Sequence, residues 1–165
     1  MRIGGIMEIQ IYDIINNPLP QLYTLKTIKV KESDFLQDDS MVKVMNKYLL
    51  MDKLASEHIY ALGLTYSLIP KGIIQVSIGE PDGCIVNLKQ LATGLLLMGT
   101  EQFICFHNHP GGMKRISEAD RELTDKYKEI GKLLNMDFLN HIMITKDYYD
   151  YCESDKKEII FGQEV

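Results

Sequence analysis

Two hydrophobic periods alternate along the chain, and the switches between them mark out its elements. Met41, Val44, Met45, Tyr48 and Leu49 form one stripe at helical spacing. Asp38, Asp39 and Ser40 stand before it. Ser40 is placed to cap the first N–H groups, and the aspartates suit the positive end of the helix dipole. Residues 57–65 are rich in strand formers, and residues 73–78 make a second β run closed by the turn Glu80-Pro81-Asp82-Gly83. A second helix is predicted over residues 88–98. Asn87 is its N-cap, Gln90 sits three residues on as in a capping box, and Gly99 suits a left-handed stop. The apolar run Phe103-Ile104-Cys105-Phe106 reads as a buried strand leading into His107. A polar loop containing Gly and Pro covers residues 108–116. The third helix starts at Ser117, with Ala119, Leu123, Tyr127, Ile130 and Leu134 as its buried face. Phe138, Ile142 and Ile144 mark a further strand, and residues 148–152 another.

The order is α-β-β-α-β-α-β-β, which predicts an α/β fold of the α+β kind, a central mixed sheet flanked by helices. The first 35 residues are less regular. Ile9, Ile11, Ile14 and Ile15 fit no single period, Asn16-Asn17-Pro18-Leu19-Pro20 reads as a turn, and residues 25–30 alternate as a short strand. The expected division is an N-terminal extension with short strands (1–35), a main domain (36–153) and a charged tail (154–165).

Composition narrows the class. The 165 residues, 45% hydrophobic and 25% charged, suit one domain with a real core. The longest apolar-rich stretch, residues 88–98, is broken by Lys89, Gln90, Thr93 and Gly94, too short and polar to cross a bilayer. No apolar run followed by a small-residue cleavage site stands near the start, so the expected location is the cytoplasm. Cys84, Cys105 and Cys152 are an odd, dispersed set without CxxC, which points to a reducing compartment and against a structural zinc ribbon. A formal net charge of −5 argues against a general electrostatic footprint for nucleic acid. Only a local basic patch formed by folding would reopen that route.

The chemistry concentrates in Phe106-His107-Asn108-His109-Pro110-Gly111-Gly112 and the following Ser117-Glu118-Ala119-Asp120. Residues two apart on an extended backbone face the same side, so His107 and His109 can present two imidazoles to one ion. Pro110 keeps His109 extended, the glycines let the chain turn back, and that return brings Asp120 on the first helical turn towards the same point. Two neutral imidazoles and a carboxylate suit Zn²⁺ and leave a fourth position for water, although the same set also describes ferrous oxygenases. HxH alone is a weak signal, and Ser117-x-x-Asp120 has a purely structural role as a capping box. Cys105, two before His107, offers a Cys-His-His alternative but more often such a residue packs as a small hydrophobe. His141 is either a partner that orients a ligand or structural. His58 should face away from Glu57, and Met41, Met45 and Met51 read as core.

Taken together, Glu57…His107-x-His109-Pro110…Ser117-x-x-Asp120 resembles the JAMM motif of the JAB/MPN metalloprotease family. Within it, His107-Asn108-His109-Pro110 with Gly112 resembles the RadC-like bacterial branch, over roughly residues 40 to 152. Gly111, Ile116 and Asn140 depart from that branch's usual Ser, Pro and Asp, and no room is left for its frequent N-terminal helix-hairpin-helix. The resemblance implies a single JAB/MPN-like (cytidine-deaminase-like) domain. It also implies zinc held by His107, His109 and Asp120, Glu57 as general acid/base, and Ser117 donating to an oxyanion. The activity implied is hydrolysis of an amide bond in a protein or peptide, by a metallopeptidase or isopeptidase. Two alternatives come with it: a DNA-repair or mobile-element accessory protein, and a non-catalytic MPN-like interaction module.

Overall fold

The computed structural model describes residues 5–79 and 86–152 and the backbone of residues 159–160. The Glu80–Gly83 turn, Cys84 and most of the charged tail lie outside the described residues. Along the chain run β1 (Ile6–Asn16), β2 (Pro20–Lys31), a 3-10 turn (Glu32–Phe35), α1 (Asp38–Leu49), β3 (Glu57–Leu64) and β4 (Pro70–Gly79). They are followed by α2 (Leu88–Leu97), β5 (Gln102–Asn108), α3 (Glu118–Leu134), β6 (Asp137–Thr145), β7 (Tyr148–Tyr151) and β8 (Ile159–Ile160). From α1 to β7 this is the order read from the periodicity.

The strands form one mixed sheet of eight, in the order β2-β1-β4-β3-β5-β6-β7-β8. Among the described strands, only β1 with β4 and β5 with β6 run parallel. Strand alternation sorts the side chains into two layers. Tyr60, Leu62, Ile104, Phe106, Ile142 and Ile144 join Met41, Val44 and Met45 of α1 on one face. Ile59, Ala61, Phe103, Cys105 and Ile74 meet Leu91 and Leu95 of α2 and Tyr127 of α3 on the other. Both faces of β3 and β5 are therefore buried, which is why Phe103–Phe106 reads as a continuous apolar run.

The first 35 residues differ from expectation. Instead of short strands they form a hairpin of 11- and 12-residue strands that extends the main sheet through β4. Ile9 and Ile11 pack towards α1, whereas Tyr12 and Ile14 pack towards α2. One strand serving two cores cannot show one period. Leu25 is the extra residue where the register shifts: Ile11 pairs with Lys26 but Tyr12 with Thr24. The tail also contributes a strand, since Ile160 pairs with Tyr148.

Two caps are corrected. α1 starts at Asp38 after Gln37, with no side-chain cap, so Ser40 lies inside the helix. Asp38 is instead engaged across the core, accepting a hydrogen bond from the Tyr151 hydroxyl. At α2, Asn87 does accept from the Gln90 N–H at 3.0 Å. Gln90 leaves the box open, however, its Nε2 donating to Asp13 Oδ1 and to the Gln75 carbonyl, both at 2.9 Å. Gly99 takes the expected left-handed turn at φ 65°.

Candidate metal centre

β5 brings the first ligand candidate. Its odd positions face α3, so Cys105 is packed in that core and His107, two residues on, stands at the strand's end on the same side, 1% exposed. His109 follows the strand and stays anchored by its own N–H to the Ile144 carbonyl at 2.9 Å. The chain then reverses. Gly112, at φ 71°, donates to the His109 carbonyl at 3.1 Å, a left-handed conformation glycine adopts without strain. The return ends at Ser117, the N-cap of α3, where both halves of the expected capping box form. Asp120 Oδ2 accepts from the Ser117 N–H at 2.7 Å and from its Oγ at 2.6 Å, while Ser117 Oγ accepts from the Asp120 N–H at 3.1 Å.

The result is a tight triangle. His107 Nε2 and His109 Nε2 are 3.0 Å apart, His107 Nε2 lies 3.2 Å from Asp120 Oδ1, and His109 Nε2 lies 3.5 Å from Asp120 Oδ2. Bonds of about 2.0–2.1 Å at tetrahedral angles put ligand atoms about 3.3 Å apart; the two imidazole nitrogens and the nearer carboxylate oxygen of each pair lie close to that spacing, and one donor atom from each residue lies within 4.8 Å of the others. Two imidazole lone pairs aimed at one another also repel unless a proton or a cation lies between them. The donor set and its spacing can therefore hold a divalent ion.

Both rings are fixed in the tautomer such an ion requires. His109 Nδ1 lies 2.9 Å from the Met113 carbonyl, so its ring hydrogen sits there and Nε2 is left bare. His107 Nδ1 is 2.8 Å from His141 Nε2, and His141 Nδ1 is 2.8 Å from Thr124 Oγ1, which donates to the Asp120 carbonyl at 2.7 Å. With Nε2 of His107 facing the ion, every hydrogen in this chain points one way, from His107 to His141 to Thr124 to the backbone of Asp120. Burial holds the His141 pKa well below the usual histidine range, so the ring is neutral and can accept.

Charge is arranged accordingly. Burial alone would raise the Asp120 carboxyl pKa, but contacts from His107, His109 and Ser117 outweigh it and hold it well below the ordinary carboxylate range. Burial alone would lower His109, and the Asp120 carboxylate with the Met113 carbonyl reverses that, leaving it raised. Glu57 opens β3. Ile59 pairs with His107 across the β3–β5 ladder, so Glu57, two residues earlier, shares the face of His107. Its carboxyl pKa is raised by burial, with His107 and His109 pulling it down and Asp120 pushing it up. These couplings place Glu57 within the field of the triangle. Beside His109 opens a cleft of about 530 Å³, lined by residues 51–54, Pro110-Gly111-Gly112, Lys146 and Asp147.

In comparison with known proteins, residues 36–157 match the RadC-like JAB domain. The chain belongs to that family. It is 31% identical over 104 residues to a UPF0758 protein of Clostridium acetobutylicum, covering 61% of this chain and 45% of the relative. A UPF0758 protein of Flavobacterium johnsoniae is 31% identical over 105 residues, 63% of this chain and 46% of the relative. One of Methanosarcina acetivorans is 39% identical over 74 residues, 45% of this chain and 32% of the relative. The matched part thus spans less than half the length of these relatives. Among the described residues, no helix is long and apolar enough to cross a membrane.

Within this RadC-like JAB domain, the other sequence candidates separate. Cys105 joins none of the ligand clusters; it is fully buried, and burial pushes its thiol well above the ordinary range. Cys152, which sequence reading left unassigned, does lie with His107 and His141 in a second buried trio. Those two rings are already joined at hydrogen-bond distance and the Cys152 thiol is pushed up by burial, so this trio supports the first rather than forming another open site. His58 lies near Tyr60, which belongs to the α1 core, on the face away from Glu57.

Two supports escaped the sequence. Thr124 follows Asp120 by one helical turn, and the buried stripe of α3 is Asp120, Thr124, Tyr127 and Gly131. Ala119, expected on that face, is exposed. The helix is rotated because its inner face serves the site as well as the core, and the i, i+4 pairing of Asp120 with Thr124 was the available clue. Asn108, 1% exposed, accepts from the His58 N–H at 2.7 Å and donates to the Ser56 carbonyl at 3.0 Å. It thereby clamps the backbone on both sides of Glu57.

His141→Gln tests the support. The ring that orients His107 is lost, and such partners are worth roughly 10–100-fold in metal affinity. Zinc titration against a competing chelator should show a loss in that range. An affinity equal to wild type would assign His141 to packing alone.

Proposed function

We propose that this RadC-like JAB domain is a zinc-dependent hydrolase of amide bonds, a peptidase or isopeptidase acting on a protein or peptide. The observation that carries the reading is the triangle of His107, His109 and Asp120 at 3.0–3.5 Å with Glu57 on the same sheet face. The JAMM resemblance supports the choice of an amide over other bonds.

His107, His109 and Asp120 would hold the ion. Zinc so bound supplies an acidified water, with a pKa near 7, and polarises the scissile carbonyl. Glu57 takes a proton from the attacking water and delivers it to the leaving amine. Its half-buried setting, which in the metal-free site raises its pKa, keeps the carboxyl partly out of bulk water while leaving it open to the cleft side of β3. Ser117 holds Asp120 in line through two hydrogen bonds, and its hydroxyl hydrogen is committed to that carboxylate. Its part at the oxyanion therefore requires the hydroxyl to turn from Asp120 towards the substrate oxygen during the reaction.

The test is hydrolysis of mixed peptide and isopeptide libraries by zinc-loaded protein, followed after chelation and zinc restoration. Turnover should appear with zinc, fall at least about 100-fold on its removal and return on reloading. Cleavage that survives complete removal of metal would refute the reading.

A further inference from the structure

Glu57 stands in the field of the ligand triangle, yet among the described residues its carboxyl makes no hydrogen bond of its own. Its place is therefore set by its backbone. On one side that backbone is held by β4, with Glu57 paired to Gly79. On the side of the metal loop the ladder stops short of it. The β3–β5 register ends with Ile59 against His107, and one step further it would set His58 against Asn108, the last residue of β5. Beyond Asn108 the chain leaves β3, because the His109 N–H is committed to the Ile144 carbonyl of β6 at 2.9 Å.

The Asn108 side chain fills the gap. Its Oδ1 accepts from the His58 N–H at 2.7 Å, and its Nδ2 donates to the Ser56 carbonyl at 3.0 Å. A carboxamide carries the acceptor and donor of a peptide group, so it extends the ladder by one step while the backbone of β5 turns away. Aspartate would offer no donor to the Ser56 carbonyl, and glutamine would force one more methylene into a position only 1% exposed. The two neighbours of Glu57 are also tied to each other, Ser56 Oγ lying 3.0 Å from His58 Nε2. Glu57 is thus bracketed without being touched.

We propose that Asn108 is a positioning residue through which the metal loop controls the proton-transfer group, so that filling the triangle of His107, His109 and Asp120 fixes the Glu57 carboxylate in place. The proposal rests on the zinc-hydrolase reading above and adds a control to that site. Asn108 stands between two ligand residues, and its backbone cannot shift without carrying their rings along. When both imidazoles and Asp120 share one ion, residues 107 and 109 are fixed together, and Asn108 with them. Two hydrogen bonds then pass the restraint to the backbone on either side of Glu57. The coupling is reciprocal, so the bracketed strand in turn favours the loop geometry that holds the ion. A reacting group displaced by about 1 Å can cost on the order of 100-fold in rate, which gives this tie its weight.

Amide hydrogen exchange on the full chain, resolved by NMR with and without zinc, tests the coupling apart from turnover. In wild type, zinc should slow exchange at the His58 N–H at least about tenfold beyond its effect on Leu62, in the middle of β3, which follows overall stability. Equal protection of the two amides would overturn the proposal, and this arm needs no variant. The second arm is kinetic. Zinc-loaded Asn108→Ala should lose about 100-fold in kcat with KM unchanged, and in the Glu57→Gln background the same substitution should cost less than about twofold. Wild-type kcat in the zinc-loaded variant, a loss carried by KM, or a full loss that persists without the Glu57 carboxylate would each refute it. Absence of turnover in zinc-loaded wild type would sink the hydrolase reading instead, and the exchange arm alone would then decide the coupling.

Discussion

Asp120→Ala should yield protein without stoichiometric zinc and without hydrolytic turnover. Asp120 is the one anionic corner of the triangle, and it also closes the capping box of α3. The alanine variant therefore loses the ion and roughly 1 kcal/mol of helix capping. Asp120→Asn separates the two effects. An amide oxygen can still accept from the Ser117 N–H, so the cap survives, but the charge that opposes the ion's own is gone. Metal analysis, turnover and thermal melting with and without zinc distinguish them. Wild type should gain melting temperature on zinc loading, and neither variant should. In the metal-free protein the two carboxamide and carboxylate forms also differ with pH. The His109 pKa is raised in the fold by Asp120, so their attraction stabilises wild type below the ordinary histidine value and is lost as pH rises through the raised one. Metal-free wild type should thus exceed Asp120→Asn in stability below the ordinary histidine value, by a margin that narrows as pH rises through the raised one. An asparagine variant that keeps full zinc and turnover would remove Asp120 from the ligand set.

Glu57→Gln should keep the zinc and lose the reaction. The amide preserves size and strand position, and the Asn108 clamp acts on the backbone of Ser56 and His58, leaving the Glu57 side chain out of its hydrogen bonds. Removing a proton-transfer group typically costs about 10²–10⁴-fold, and the loss should fall on kcat rather than KM. In wild type, the acidic limb of the rate profile should report the protonation of this carboxyl, and the limb should vanish in the variant's residual activity. The same shift has a stability sign. A carboxyl with a raised folded pKa contributes stability below its unfolded pKa and loses it as pH rises through the folded one. Glutamine carries no such penalty, so the metal-free variant should be at least as stable as wild type at neutral pH. Unchanged kcat at full zinc occupancy would exclude Glu57 as the proton shuttle.

Much of this architecture was open to a reader of the residues alone. The stripe Met41-Val44-Met45, the run Phe103–Phe106, Asn87 and Ser117 as caps and Gly99 as a stop each express a preference settled within one helical turn or a few strand residues. For the same reason His107, His109 and Asp120 could be grouped in advance: a strand end, a proline, a glycine reversal and a first helical turn lie within fourteen positions of one another. The N-terminal isoleucines were not readable in this way, because β1 changes the core it packs against partway along.

The sequence by itself determined the type of most elements, the candidate donor set and the local loop that brings those donors together. Tertiary structure decided what stands beside them. Whether His141 falls next to His107 and whether Asn108 grips the strand of Glu57 depend on strand register and on how helices lie on the sheet. Those are set by packing over the whole core, between residues 34 and 50 positions apart. No local preference reaches that far, so such neighbours appear only once the sheet is assembled.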